Sequence, residues 1–233
     1  MTDKKILLHG STQIIEVPEL SKGNSHNDYG RGFYCTESEE MAREWACREQ
    51  KDGFVNRYLL DTSHLKILNL CDGTHHVLNW IAILLKNRTF RLQSSIAVHA
   101  RAYLIAHYAI DTSADDLIEG YRADDSYFQY AESFIENALP LRSLSNALTL
   151  GKLGMQTVLV SEKAFEQLQF IDVEPVDEAI YYKKYMERDT TARKTYSEEI
   201  AKRRSYRDDI FVLDILREEM RNDDPRIQRN LCI

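Results

Sequence analysis

The stretch HNDYGRGFYCTESEEMAREWA, residues 26–46, decides how the rest of the chain is read. The chain has only nine glycines, yet Gly30 and Gly32 flank Arg31 immediately before Phe33 and Tyr34. Residues Ser21 to Gly32 are rich in Ser, Gly, Asn and Asp and form an expected loop. GFYCT then reads as a short strand. Thr36 or Ser38 offers an N-cap, and acidic residues follow in the first turn, so SEEMAREWACREQ reads as a helix. Met41 and Trp45 share one face of that helix. Strand alternation puts Cys35 on the side opposite Tyr34.

Outward from this stretch, short strands alternate with helical patterns. KKILLHG is a buried strand ending at a glycine. FVNRYLLD (54–61) and LKILNL (65–70) follow as strands. From Thr74 to about Ile110 the pattern is helical, in two pieces. LIEGYRADD (117–125) reads as a strand running into an acidic turn, and helices are expected around 127–138 and 141–150. MQTVLVS is a β-branched strand, EKAFEQLQF a short amphipathic helix, and QFIDVEPV another strand. EAIYYKKYMERD is expected as a strand or a strand-to-helix transition. From Tyr196 to about residue 223 the charged sequence reads as one long helix with a narrow stripe at Ile200, Ile210, Leu213, Ile215 and Leu216. The expected class is α+β, with residues 1–195 as one domain and 196–233 as a charged helical extension.

The 233 residues are 43% hydrophobic and 29% charged, an ordinary globular balance. The formal net charge of -7 gives no global attraction for nucleic acid or anionic membrane. The four cysteines, Cys35, Cys47, Cys71 and Cys232, form no CxxC pair, and His75-His76 do not share a helical face, so no metal site is expected. The N-terminus lacks the long apolar region of a signal peptide. The longest apolar run, WIAILL at 80–85, is too short to span a bilayer. These features lead to the expectation of a cytoplasmic protein with no membrane partner. Walker and nucleophile-elbow patterns are absent from the sequence.

One arrangement carries more chemistry than its parts. HGS at residues 9–11 is followed by GRGFYCT at 30–36, and Trp45 stands eleven residues beyond Tyr34. This order resembles the NAD site of the ADP-ribosyltransferase superfamily, in the branch that includes the poly(ADP-ribose) polymerases. LLHGS, DYGRGFYCT with AREWA, VNRY, RADDSYF, LGMQTVLVSEKAF and YYKKYMERDTTARKTY also resemble a bacterial domain family of uncharacterised function grouped with that superfamily. The resemblance implies an ADP-ribosyltransferase-like split β-sheet core with helical insertions. It implies NAD as substrate, transfer of ADP-ribose to an unknown protein or nucleic-acid acceptor, and a toxin or effector role with an antitoxin partner. Hydrolysis of NAD by water and a catalytically weak NAD-binding or interaction module are the alternatives.

The same resemblance assigns roles. Tyr34 and Trp45 would sandwich the nicotinamide, a geometry that stacking favours. Gly10 would let backbone approach the carboxamide, Ser11 would bond the amide, and His9 the adenosine ribose. The loop carrying Asn27, Arg31 and Gly32 would cover the diphosphate, with Arg31 as its charge partner. The position where the superfamily carries a glutamate that stabilises the cationic transition state is Gln156 here. A glutamine supplies hydrogen bonds and no charge, so another carboxylate is expected, with Asp124 and Asp125 as the candidates.

Overall fold

In KKILLHGS the centre of the strand buries Leu7 and Leu8, while Lys4 stays exposed and the half-buried Lys5 pairs with Glu119. In this computed structural model, which describes residues 3–123, 125–150, 154–202 and 206–229, that strand is β1 (Lys4–Ser11). Chain order continues through β2 (Phe33–Cys35), α1 (Glu39–Ala46), β3 (Gly53–Asp61), β4 (Ile67–Asn69), α2 (Val77–Asn87), α3 (Ser95–Tyr108) and β5 (Leu117–Tyr121). It then runs through α4 (Asp125–Ile135), α5 (Leu141–Leu150), β6 (Met155–Leu159), α6 (Glu162–Glu166), β7 (Leu168–Val176), α7 (Glu178–Lys202), α8 (Val212–Arg217) and α9 (Pro225–Gln228).

The architecture is α+β, built on two sheets. One has the order β1-β3-β7 and is wholly antiparallel. The other has the order β2-β6-β5-β4, with β4 and β5 parallel and the remaining pairs antiparallel. The sheets meet where Leu8 and Thr36 exchange backbone bonds of 2.8 and 2.9 Å. Beyond that bridge β1 and β2 part, so the ends of both strands border an opening rather than a continuous ladder.

VLNWIAILLKN is apolar nearly all round, the pattern of a helix enclosed on every side. α2 is accordingly buried, packed on α3, with Trp80, Ile81 and Leu84 in the large core cluster that also takes in residues of α4 and α5. Trp80 Nε1 donates to Tyr29 Oη at 3.0 Å and to Tyr121 O at 3.1 Å, tying this layer to the loop before β2 and to the end of β5.

The C-terminal region departs from the sequence expectation. EAIYYKKYMERD is helical from Glu178, because Asp177 Oδ1 accepts from Ala179 N at 2.8 Å and caps the first turn. α7 spans Glu178–Lys202 and so begins before the expected start at Tyr196, while α8 and α9 are separate helices, so no single helix runs from Tyr196 to about 223. Val212, Ile215, Met220 and Ile227 are buried in the same core as α2 and α3. Burial of these apolar side chains favours α8 and α9 packed on the core over an exposed position. Tyr103 and Tyr108 both donate to Met220 O, at 3.0 and 2.7 Å. Among the described residues no helix is long and apolar enough to cross a membrane.

Candidate functional site

A cleft of about 720 Å³ opens beside the point where the sheets part. His9 and Gly10 reach it from β1, Tyr34 from β2, Trp45 from α1 and Gln156 from β6. Asn27 also lines it. Four separate elements thus bring together residues spread over most of the chain.

His9 stacks on Phe33 with ring centroids 4.3 Å apart. Its Nδ1 lies 2.7 Å from Tyr34 O, and a carbonyl only accepts, so Nδ1 carries the hydrogen. Burial lowers the imidazole pKa below its usual value and keeps the ring neutral. Nε2 is then an acceptor, suited to a ligand hydroxyl. Gly10 has its own reason to be glycine. A Cβ there would lie 2.6 Å from Ala46 N and 2.9 Å from Trp45 Cβ, because the last turn of α1 crosses directly over β1. The expected reason was ligand approach; helix-on-strand packing already demands the residue.

The loop before β2 closes on Tyr34. Gly30, at a φ of +79°, donates to Asn27 O at 3.0 Å and so completes a turn that other residues adopt only with strain. Tyr34 Oη donates to Gly30 O at 2.7 Å and accepts from Tyr29 N at 3.0 Å. The phenol is therefore locked into the turn and its ring faces the cleft. Cys35 is fully buried on the other side of β2, among Leu7, Phe33 and Tyr58. Trp45 has the Arg122 guanidinium 4.6 Å over its ring, and its indole N–H is buried with no hydrogen-bond partner among the described residues.

Gln156 is 3% exposed. Its Nε2 lies 3.2 Å from Asp28 Oδ2 and 3.2 Å from Tyr121 O. Both partners only accept, so both amide hydrogens are committed and Oε1 is the end left to the cleft. Asp28, at 5% exposure, lines the same cleft. Its Oδ2 also accepts from Ala123 N at 2.9 Å, and its Oδ1 accepts from Arg88 Nη1 at 3.1 Å. Burial raises its pKa, opposed by the Ala123 bond and the Arg88 charge.

Other expected residues are placed differently. Ser11 is outside the cleft lining, and its Oγ accepts from Gln13 N at 3.2 Å. Arg31 is exposed and lines neither this cleft nor the adjoining one, so the expected charge partner of a diphosphate is displaced. The cations that do line the cleft are Arg48, Arg88 and Arg122. Gly32 lines the adjoining cleft of about 440 Å³, which shares His9, Asn27 and Tyr34 with the first. Ile14 and Val17 form exposed apolar parts of that second wall. Asp124 lies outside the described residues. Asp125 opens α4, and its side chain likewise lies outside them.

Sequence reasoning missed Asp28, Arg88, Arg122 and the α7 tyrosines Tyr182 and Tyr185, which line the cleft's outer wall. That wall is held to α1 by ion pairs of Arg188 with Glu44 at 2.8 Å and Lys184 with Glu40 at 2.9 Å. Asp28 sits within the opening stretch, but an Asp in a Gly-containing loop carries the signature of a turn and none of a buried partner. Among the described residues no cluster of three or more His, Cys, Asp or Glu is placed to hold a metal ion.

The molecule is thus an α+β protein with two parted sheets and a polar, aromatic-walled double cleft where they part. The chain belongs to the family described as Protein of unknown function (DUF3990), whose model matches residues 5–170. That span contains His9, Asp28, Tyr34, Trp45 and Gln156 and ends before α7. No curated protein and no solved structure matches the chain.

Proposed function

We propose that this protein binds NAD in the double cleft and transfers its ADP-ribose to a macromolecular acceptor, as a mono-ADP-ribosyltransferase. The observation that carries this reading is the convergence of His9, Tyr34, Trp45 and Gln156 on one cleft, in the order the sequence resemblance assigned them. The two lobes joined at His9, Asn27 and Tyr34 suit a ligand with two ring systems on a flexible link. The lobe with Trp45, Arg122 and Gln156 suits the nicotinamide ribose, and the lobe with Ile14 and Val17 the flatter, less polar adenine end. Neutral His9 offers Nε2 to a ribose hydroxyl. Arg88 and Arg122 take the place expected of Arg31 as neighbours of the diphosphate.

In the reaction the bond from ribose C1′ to the nicotinamide nitrogen breaks, and its electron pair leaves with neutral nicotinamide. Positive charge builds on the ribose until an acceptor lone pair bonds C1′ and the acceptor proton passes to solvent. The aromatic walls orient the leaving ring, and Gln156 Oε1 holds a ribose hydroxyl. A toxin or effector role with an antitoxin partner is the biological setting proposed with this chemistry.

Incubation of purified protein with radiolabelled NAD and a cell lysate tests the reading. Nicotinamide release with label on protein or nucleic acid is the expected result, and His9→Ala and Tyr34→Ala variants that stay folded lose it. Rapid NAD loss with no labelled acceptor reassigns the reaction to water. Absence of both nicotinamide release and NAD binding by calorimetry at millimolar ligand refutes the proposal.

A further inference from the structure

The reaction proposed above develops a positive charge beside a residue that has no charge to offer. Gln156 is the group presented to the ribose, and its amide is neutral. Among the described residues three carboxylates line the cleft: Asp28, Glu44 and Glu49. Glu44 is engaged with Arg188 at 2.8 Å on the α7 side, and Glu49 is exposed at the rim. Asp28 alone among them bonds Gln156, through Oδ2 at 3.2 Å.

We infer that Asp28 supplies through Gln156 the negative charge that the ribosyl cation requires, so that the carboxylate and the amide act as one divided group. Asp28 Oδ2 accepts from the amide nitrogen, which polarises the amide and moves electron density onto Oε1. The second amide hydrogen is held by Tyr121 O at 3.2 Å, so Oε1 has one orientation, outward. Arg88 and Arg122 offset part of the charge, and Arg88 bonds the other oxygen, Oδ1, leaving Oδ2 to Gln156 and Ala123. Ala123 N holds Oδ2 in place at 2.9 Å. The carboxylate thus acts at one remove from the ribose, as a positioning and field residue rather than one that touches substrate. This inference rests on the NAD reading.

Asp28→Asn removes the charge while keeping the hydrogen bonds that Oδ2 accepts from Gln156 and Ala123. The asparagine oxygen, set where Oδ2 lies, still accepts from Ala123 N and Gln156 Nε2; what is lost is the charge, its attraction to Arg88 and Arg122, and the Arg88 hydrogen bond to Oδ1, where the asparagine Nδ2 now stands. A unit charge at this range across the edge of a protein predicts a fall of about 10- to 100-fold in the rate of nicotinamide release. The calorimetric Kd for NAD is expected to change by less than about threefold, a split that a merely structural role does not give. In a Gln156→Ala background the same change adds less than about threefold, because the two groups act in series. One measurement on the wild-type protein needs no variant. An ADP-ribose analogue whose terminal ribose is replaced by a protonated pyrrolidine is expected to bind at least about tenfold more tightly than ADP-ribose.

A wild-type protein that releases nicotinamide while Asp28→Asn matches its rate overturns the inference and leaves the NAD reading standing. So does a full, independent effect of Asp28→Asn in the Gln156→Ala background. If Asp28→Asn does not fold, equal binding of the cationic and neutral analogues by the wild type overturns it. A wild-type protein that neither binds NAD nor releases nicotinamide removes the NAD reading and this inference together.

Discussion

Gln156→Glu restores the residue type that the sequence resemblance expects, and the structure predicts that it damages the protein. The amide nitrogen of Gln156 lies 3.2 Å from Asp28 Oδ2 and 3.2 Å from Tyr121 O. Glutamate replaces that donor with an oxygen facing two acceptors. Two carboxylate charges at this separation repel by about 5 kcal/mol even at an effective dielectric of about 20. The pair avoids that cost by keeping one proton, which then bridges the two oxygens. Holding a proton at pH 7 on a group of ordinary pKa near 4.3 costs about 3–4 kcal/mol, which caps the loss. The folded-state pKa of the pair is therefore raised, the folded form holds more protons than the unfolded form, and stability falls as pH rises. The penalty is expected to shrink to about 1 kcal/mol at pH 5. Urea unfolding followed by tryptophan fluorescence, for wild type and variant at pH 5 and pH 7, reads this directly. A variant as stable as wild type at pH 7, or one whose penalty is the same at both pH values, refutes the orientation assigned to Gln156 and its bond to Asp28.

Three further outcomes follow from the packing. Gly10→Ala sets a methyl group against Ala42 O, Ala46 N and Trp45 Cβ and is expected to lose about 3 kcal/mol in denaturant unfolding, with a loss under about 0.5 kcal/mol contradicting the close crossing of α1 over β1. Ile215→Ala removes a fully buried side chain from the core shared with α2 and is expected to cost about 2–5 kcal/mol; a near-neutral result would contradict the packing of α8 on that core. Burial lowers the His76 imidazole from 6.5 to about 4, so its contribution to stability is present above 6.5 and lost as pH falls towards 4. That loss amounts to about 3 kcal/mol, and His76→Gln is expected to flatten the acid limb of the stability curve between those values.

The sequence by itself determined most elements and several walls of the site. Hydrophobic alternation and caps act over a few residues, so β1, β3, β6, α2 and α5 are legible from local pattern. His9, Tyr34, Trp45 and Gln156 are grouped in the sequence by a family resemblance in the order of HGS, GRGFY, Trp45 and MQTVLVS, not by local pattern alone. The C-terminal region is not legible in the same way, because a charged helix with a narrow apolar stripe looks continuous in one dimension. Only the core beneath α3 gives Val212, Ile215, Met220 and Ile227 somewhere to go. The tertiary structure alone decided which carboxylate faces Gln156. Asp28 precedes it by 128 residues, and Arg88 and Ala123, which also hold that carboxylate, come from between them. The bonds among these groups depend on α2 and on the ends of β5 and β6 arriving at one point, and no local spacing encodes that arrival. A lone aspartate in a glycine-bearing turn has the same local sequence whether water or a buried glutamine lies beyond it.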